Sequence, residues 1–410
     1  MHCSDQRGDS LTFSSLDFEV VRACTIDSSQ GGVVTIIASS SLGLQTNTVA
    51  DEYEAQFRLD VDSTSGNGAT DRWVNTYADA GDGSGKSVAL SATQTVTPGP
   101  HTYYMLVRRN AGTGTVLLHD TSLSVVLVPA AVAASTTCGV SANSTFATVS
   151  AAFVSVASCA LTVPDGGAAF LLGTASVGLS SNQPNSEFEA QFGLSIDAES
   201  ADLDTTDRWV NSYVDSGDGV DETVAVSVLQ PVTAGPHLFY LLARRDAGTG
   251  TVTIYDAALS VIVVPADSAC GGSADQSFTT TSSVPEVMQQ CAAISAGYGD
   301  ALIVATSSVA ISANTSSAAT EWQFDLAVDG SELGYTDRWV DVYPDAVGDG
   351  NDRNMIDNAI VPVTSGSHAF TLTGRRYAGT EVAIAYDPSI AVILLAPDIL
   401  FADGFELAAR

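Results

Sequence analysis

The stretch Thr70–Gly83 reads TDRWVNTYADAGDG. It returns as TDRWVNSYVDSGDG from Thr206 and as TDRWVDVYPDAVGDG from Thr336. A phrase written three times at nearly constant intervals marks three copies of one folding unit, and the spacing around it agrees. The six cysteines fall as Cys3/Cys24, Cys138/Cys159 and Cys270/Cys291, each pair 21 positions apart. Gln56, Gln191 and Gln323 each follow the second cysteine by 32 positions. His101, His237 and His368 each stand seven before the first arginine of an RR pair, and Asp120, Asp256 and Asp387 follow the second arginine by eleven.

Length changes are confined to the acidic stretch before TDRW and to the segment between TDRW and the histidine. Fixed spacing belongs to paired strands, where a one-residue slip turns core side chains outward; variable spacing belongs to surface loops. The repeats are therefore drawn at 1–130, 131–266 and 267–397, with a tail at 398–410.

Within each repeat the apolar runs are β-rich. VVTIIASS, AAFLLGTASV and ALIVATSSV occupy one position, and SLSVVLVP, ALSVIVVP and SIAVILLAP close the copies, each stopped by proline. Tyr103, Met105 and Val107 alternate onto one face of the histidine strand, as a half-buried strand requires. The nearest helical candidate is PEVMQQCAAI. The expected fold is all-β: three tandem antiparallel β-sandwich (jelly-roll-like) domains, each with one disulfide.

Hydrophobic residues make up 45% of the 410 and charged residues 15%, so the chain buries cores rather than staying disordered. No apolar run reaches the length of a membrane span. Net charge is −32, which repels nucleic acid and anionic membranes and attracts cations. Equal cysteine spacing argues for disulfides, each closing a loop worth about 3 kcal/mol in the chain-entropy picture. Reduced buried thiols and metal ligation are the rival readings, the latter without paired histidines at zinc spacing. Disulfides favour an extracellular or cell-surface setting, although MHCSDQRGDS carries no legible signal peptide.

On a strand, Asp71, Trp73, Asn75 and Tyr77 share one face; the matching sets are Asp207, Trp209, Asn211, Tyr213 and Asp337, Trp339, Asp341, Tyr343. Aromatic rings between hydrogen-bonding groups suit a glycan or a protein surface as ligand. The plainer reading places them inside, with the DR and RR arginines in an internal Asp–Arg network. Past the tyrosine come Asp79 and Asp82, then Asp215, Asp218 and Asp221, then Asp345, Asp349 and Asp352. These are candidate calcium ligands or ordinary solvated turns, since none has EF-hand spacing. The recurring histidines follow Gly-Pro or Gly-Ser at a strand start and have no sequence-visible partner for general-base work, so no enzyme is expected.

The run FDLAVDG, VTSGSHAFTLTGRR, AGTEVAIAYD and SIAVILLAP resembles, in strand order and cadence, the bacterial and phage variants of the tumour-necrosis-factor/C1q-like jelly roll. That resemblance implies trimers that bind receptors or surfaces. The ending ILFADGFE is similar to C-terminal tails of some secreted bacterial proteins. Three tandem copies then suggest a chain that is its own trimer. Against full symmetry stand Tyr104 and Leu106, and Leu238, Tyr240 and Leu242, which the third copy replaces with Ala369, Thr371 and Thr373. A linear array with only the first two domains packed together is the alternative. The expectation is an exported, non-enzymatic attachment or ligand-binding protein, beside a calcium-dependent carbohydrate binder and a purely structural spacer or coat component.

Overall fold

Long strands of alternating inward and outward side chains dominate each repeat, as β-branched runs bounded by Gly, Pro and Asp turns dictate. The structure is a computed structural model that describes residues 1–45, 52–65, 70–77, 84–180, 187–213, 220–297, 299–312, 320–342, 353–379 and 382–395. The first sandwich comprises β1 (His2–Phe13), β2 (Glu19–Ser28), β3 (Gly32–Gln45), β4 (Glu52–Val61), β5 (Arg72–Tyr77), β6 (Ser84–Val96), β7 (Gly99–Ala111) and β8 (Thr115–Pro129). Its two antiparallel sheets run β1-β8-β3-β6 and β2-β7-β4-β5. That interleaving of eight strands is a jelly roll. The second and third sandwiches repeat it, with the first strand split into Thr137–Ser141 plus Thr145–Thr148 and into Ala269–Ser273 plus Ser277–Thr280.

Each sandwich has its own core between the sheets. Tyr53, Phe57, Tyr103 and Met105 fill the first, Phe188, Phe192 and Phe239 the second, and Trp322, Phe324 and Phe370 the third. β1 and β2 are edge strands of opposite sheets, and Cys3–Cys24 joins them across the sandwich. Cys138–Cys159 and Cys270–Cys291 do the same in the other two. The disulfide thus ties together the two edge strands on one open side of each sandwich. PEVMQQCAAI is not helical: Glu286–Ser295 is an edge strand bonded to Gly366–Ala378, because pairing and the Cys291 bridge outweigh local helix propensity. The one α-helix among the described residues, α1 (Ala130–Thr136), links the first sandwich to the second.

A fourth core belongs to no single sandwich. Ile37, Leu172 and Val304 occupy equivalent positions on β3 and its counterparts, each facing away from its own core. They meet Ala89, Ala225 and Ile356 from β6 and its counterparts, and Val126, Ile262 and Ile393 from β8 and its counterparts. Three backbone amides close a ring around this core. Ala89 N–H donates to Thr223 Oγ1 (3.2 Å), Ala225 N–H to Asn354 Oδ1 (2.8 Å) and Ile356 N–H to Ser87 Oγ (3.3 Å). Each joint is head-to-tail, and three such joints close. The mismatch among Tyr104, Leu238 and Ala369 does not bear on these joints. Those residues lie on the second sheet of each sandwich, and none belongs to the shared core.

Candidate functional site

The repeated phrase begins with a threonine that anchors the strand it precedes. Thr70, Thr206 and Thr336 accept at Oγ1 from the amides of Leu59 (3.0 Å), Leu194 (3.0 Å) and Leu326 (3.2 Å). Asp71 stays within its own sandwich, accepting from Gln56 Nε2 (2.8 Å) and Arg58 Nη2 (2.6 Å), while Gln56 in turn accepts from Arg108 Nε (2.6 Å).

The arginine that follows crosses into the next sandwich. Arg72 Nη2 donates to Thr174 Oγ1 (2.9 Å) and its carbonyl (3.3 Å). Arg208 Nη2 donates to Thr306 Oγ1 (2.8 Å), the Thr306 carbonyl (3.0 Å) and Ser389 Oγ (3.1 Å). Arg338 Nη2 donates to Ser39 Oγ (2.7 Å) and Ser122 Oγ (3.2 Å), and its Nη1 reaches the Asp120 carbonyl. The order is first to second, second to third, and third back to first. All three guanidinium groups are completely buried. Burial lowers Arg72 and Arg208 to about 10, so both remain cations at neutral pH.

The tryptophans stitch the same joints. The amides of Trp73, Trp209 and Trp339 donate to Ser176 Oγ (2.9 Å), Ser308 Oγ (2.8 Å) and Ser41 Oγ (2.9 Å). Their rings meet Tyr255, Tyr386 and His119 of the following sandwich edge-on, at 5.9, 5.7 and 5.4 Å between centroids. Asn75 Oδ1 then accepts from Asp221 N–H (2.7 Å), and Asp341 accepts from Gly85 N–H. Asn211 holds the equivalent buried position.

The receiving socket is a β-bulge. The ladder between β3 and β8 slips between Ser39 and Ser41, as it does at Thr174/Ser176 and Thr306/Ser308. Asp120, Asp256 and Asp387 sit there at φ of 50°, 49° and 45°, a left-handed conformation that Asp tolerates better than most side chains. Burial pushes each of these carboxyls up to about 6, against the pull of Arg338, Arg72 and Arg208 respectively. Sequence reading noticed these three aspartates but assigned them nothing. It missed the Ser39, Thr174 and Thr306 triplets altogether, although hydroxyls in the middle of apolar strands were the available signal.

The candidate ligand face therefore lies along the joints. Asp71 and Asn75 are buried, and Asp207, Trp73, Trp209, Asp337, Trp339 and Asp341 are half-buried. The side chains of Tyr77 and Tyr213, and all of Tyr343, lie outside the described residues. So do the candidate calcium ligands Asp79, Asp82, Asp215, Asp218, Asp345, Asp349 and Asp352. Asp221 is described, and its amide is the one that Asn75 caps. Among the described residues no cluster of three or more His, Cys, Asp or Glu side chains could hold a metal ion. Residues flanking the three acidic segments do meet: Glu222 Oε1 lies 3.2 Å from Lys86 Nζ and also contacts Arg353 Nη1.

The histidines have partners that the sequence did not reveal. His101 Nδ1 pairs with Asp62 Oδ2 (2.6 Å) and its Nε2 with the Thr97 carbonyl (2.8 Å). His237 meets Asp197 and Thr233, and His368 meets Asp329 and Thr364, in the same arrangement. A carbonyl only accepts, so Nε2 carries a proton; the carboxylate favours one on Nδ1 as well. Hydrogen bonding to Asp62, Asp197 and Asp329 accordingly raises each histidine above its ordinary value. With both ring nitrogens committed, these groups clamp a turn and leave no lone pair for base catalysis. A cavity of about 190 Å³, where Ser141 covers the edge of the first sandwich beside Leu59, Thr70 and Thr93, falls below the roughly 300–1,000 Å³ of ligand pockets.

Strand order and joints together define an all-β protein of three eight-stranded jelly rolls around a shared core. No family model matches the chain, and no curated protein does. Among solved structures it is similar to a triple jelly-roll protein of an archaeal virus turret, at 10% identity and a TM-score of 0.20, covering 90% of this chain and 82% of that one. It is also similar to the tandem CBM22 domains of Xyn10C from Paenibacillus barcinonensis, at 8% identity and a TM-score of 0.16, covering 62% and 92%. The stem and receptor-binding domain of spike protein P1 from bacteriophage PM2 gives 11%, 0.15, 63% and 98%. Such TM-scores are weak, and the fold assignment rests on strand order alone.

Proposed function

We propose that the chain is an exported, non-enzymatic attachment protein in which one polypeptide does the work of a jelly-roll trimer of the tumour-necrosis-factor/C1q-like kind. The observation that carries this reading is the spending of the repeated phrase on the joints. Arginine, tryptophan and asparagine side chains that could have formed three active sites are committed to neighbouring sandwiches. What remains for a partner is the outer sheets and the loop ends, displayed three times around one axis, which favours avidity for a repetitive surface. The three disulfides support an oxidising, extracellular setting. No helix of the described residues is long and apolar enough to cross a membrane.

The test is binding of the labelled full-length chain to immobilised envelope glycans and surface proteins, beside turnover assays with hydrolase substrates. Saturable binding without turnover agrees with the proposal. Turnover that falls on substituting His101, His237 or His368 overturns it. The alternative is a calcium-dependent carbohydrate binder; where the flanks of the acidic segments meet, Glu222 is held by two cations, Lys86 and Arg353, a set that repels calcium. Calorimetric titration with calcium, and melting in calcium against chelator, decides between the two.

A further inference from the structure

Lys86, Glu222 and Arg353 are the same position in three repeats, each fifteen residues before the recurring histidine. The position therefore carries a cation, an anion and a cation. Lys86 is the only lysine in the chain, and 95% of it is buried. Glu222 is buried as deeply, and one of its oxygens contacts both Lys86 Nζ and Arg353 Nη1. Lys86 Nζ also donates to the Asn75 carbonyl (2.6 Å), and the Asp221 and Asp341 carboxylates lie near enough to attract it. Next along the strand, the ring of Ser87, Thr223 and Asn354 likewise places a different residue from each repeat at one position. The arginines, tryptophans and bulge aspartates of the joints are the same in all three copies, whereas their partners vary, as Ser39 against Thr174 and Thr306.

We infer that the Lys86–Glu222–Arg353 triad is a recognition device that admits one copy of each sandwich to the ring and disfavours rings that repeat one, leaving the covalent linkers to favour three sandwiches of the same chain. Three near-identical sandwiches in one polypeptide carry a standing hazard. The first two arginine and tryptophan joints are nearly interchangeable, so they discriminate poorly among sandwiches, while the third differs in its Arg338–Asp357 pair, its Asn358 contacts and its Trp339–His119 contact. At the triad position the alternatives differ sharply. Three first sandwiches would bring three lysines together, three second sandwiches three glutamates, and three third sandwiches three arginines. Like charges at such separations in a desolvated site repel strongly. Only the mixed set places one carboxylate between two cations. Buried ion pairs add little net stability over apolar residues, but they can fix which partners associate.

The test uses the full chain, refolded from denaturant over a range of concentrations, with mass by light scattering and melting temperature as readouts. Wild type is expected to refold as a monomer throughout. Glu222→Lys sets three cations together, and the share of chains in dimers and larger species is expected to rise about tenfold, with a lower melting temperature. The swap Lys86→Glu with Glu222→Lys restores one anion between two cations and should recover monomer and melting temperature together. Replacing all three by leucine removes the repulsion along with the attraction; this variant should melt at or above wild type yet form mixed species at high concentration. Two results overturn the inference. One is a swap no better than its single variants, and the other is a triple-leucine chain that refolds as monomer at every concentration.

Discussion

Arg208→Met removes the joint between the second and third sandwiches while nearly preserving side-chain volume. The guanidinium is completely buried and donates from Nη2 to Thr306 Oγ1, the Thr306 carbonyl and Ser389 Oγ, and from Nη1 to the Asp207 carbonyl (2.7 Å). Removing one side of such a buried charged arrangement costs about 3–5 kcal/mol, because the acceptors stay behind without water. For a chain of this length melting as one unit, that is about 4–6 °C. Asp387, already pushed up to about 6 by burial and drawn down by the Arg208 charge, should then stay protonated to higher pH. The deficit should therefore shrink on acidification. Calorimetric melts at two pH values measure both effects, with Arg7→Met as control, since that side chain is 60% exposed and should move stability by less than about 0.5 kcal/mol. If Arg208→Met melts like the control, the joint contributes nothing and the reasoning fails.

Three further outcomes are expected. The buried carboxyls of Asp120, Asp256 and Asp387 have folded values raised to about 6, so they favour the folded state most at acid pH, and that contribution fades as pH climbs from about 4 past 6. The histidine clamps, raised above 6.5, lose their contribution at still higher pH, so melting temperature should fall between pH 5 and 8, with Asp256→Asn flattening the acid side of that slope. Replacing Cys138 and Cys159 by serine should lower stability by about 3 kcal/mol in urea unfolding, while a rigid disulfide-independent sandwich would show no change. Gly139 lies so close to the first sandwich that an added Cβ would sit 2.5 Å from Thr93, so Gly139→Leu should force the first joint apart and speed its proteolysis. An unchanged digestion pattern would contradict that contact.

Strand content and the cysteine pairs were legible because they depend on local period and fixed spacing. Tyr103, Met105 and Val107 read as core and are core. The destination of Arg72 was not legible. Its partner Thr174 is 102 positions away, and nothing local distinguishes an arginine that pairs within its sandwich from one that crosses. The same holds for Asn75, whose acceptor role depends on a neighbour's backbone. The Asp62–His101 clamp was hidden by a separation of 39 positions and by the many acids available as candidates. The face with unlike residues in the three copies suggested broken symmetry, yet the shared core is on the opposite sheet, where Ile37, Leu172 and Val304 differ in shape but not in character. Apolar equivalence carries a joint that residue identity does not.

The most direct test of a ring closed within one chain is small-angle scattering from the monomer. Three sandwiches around one shared core predict a radius of gyration of about 22 Å for 410 residues. A profile with a radius above about 30 Å, as for three such domains in a row, would contradict the closing joint from Arg338 to Ser39 and with it the account of the repeated phrase.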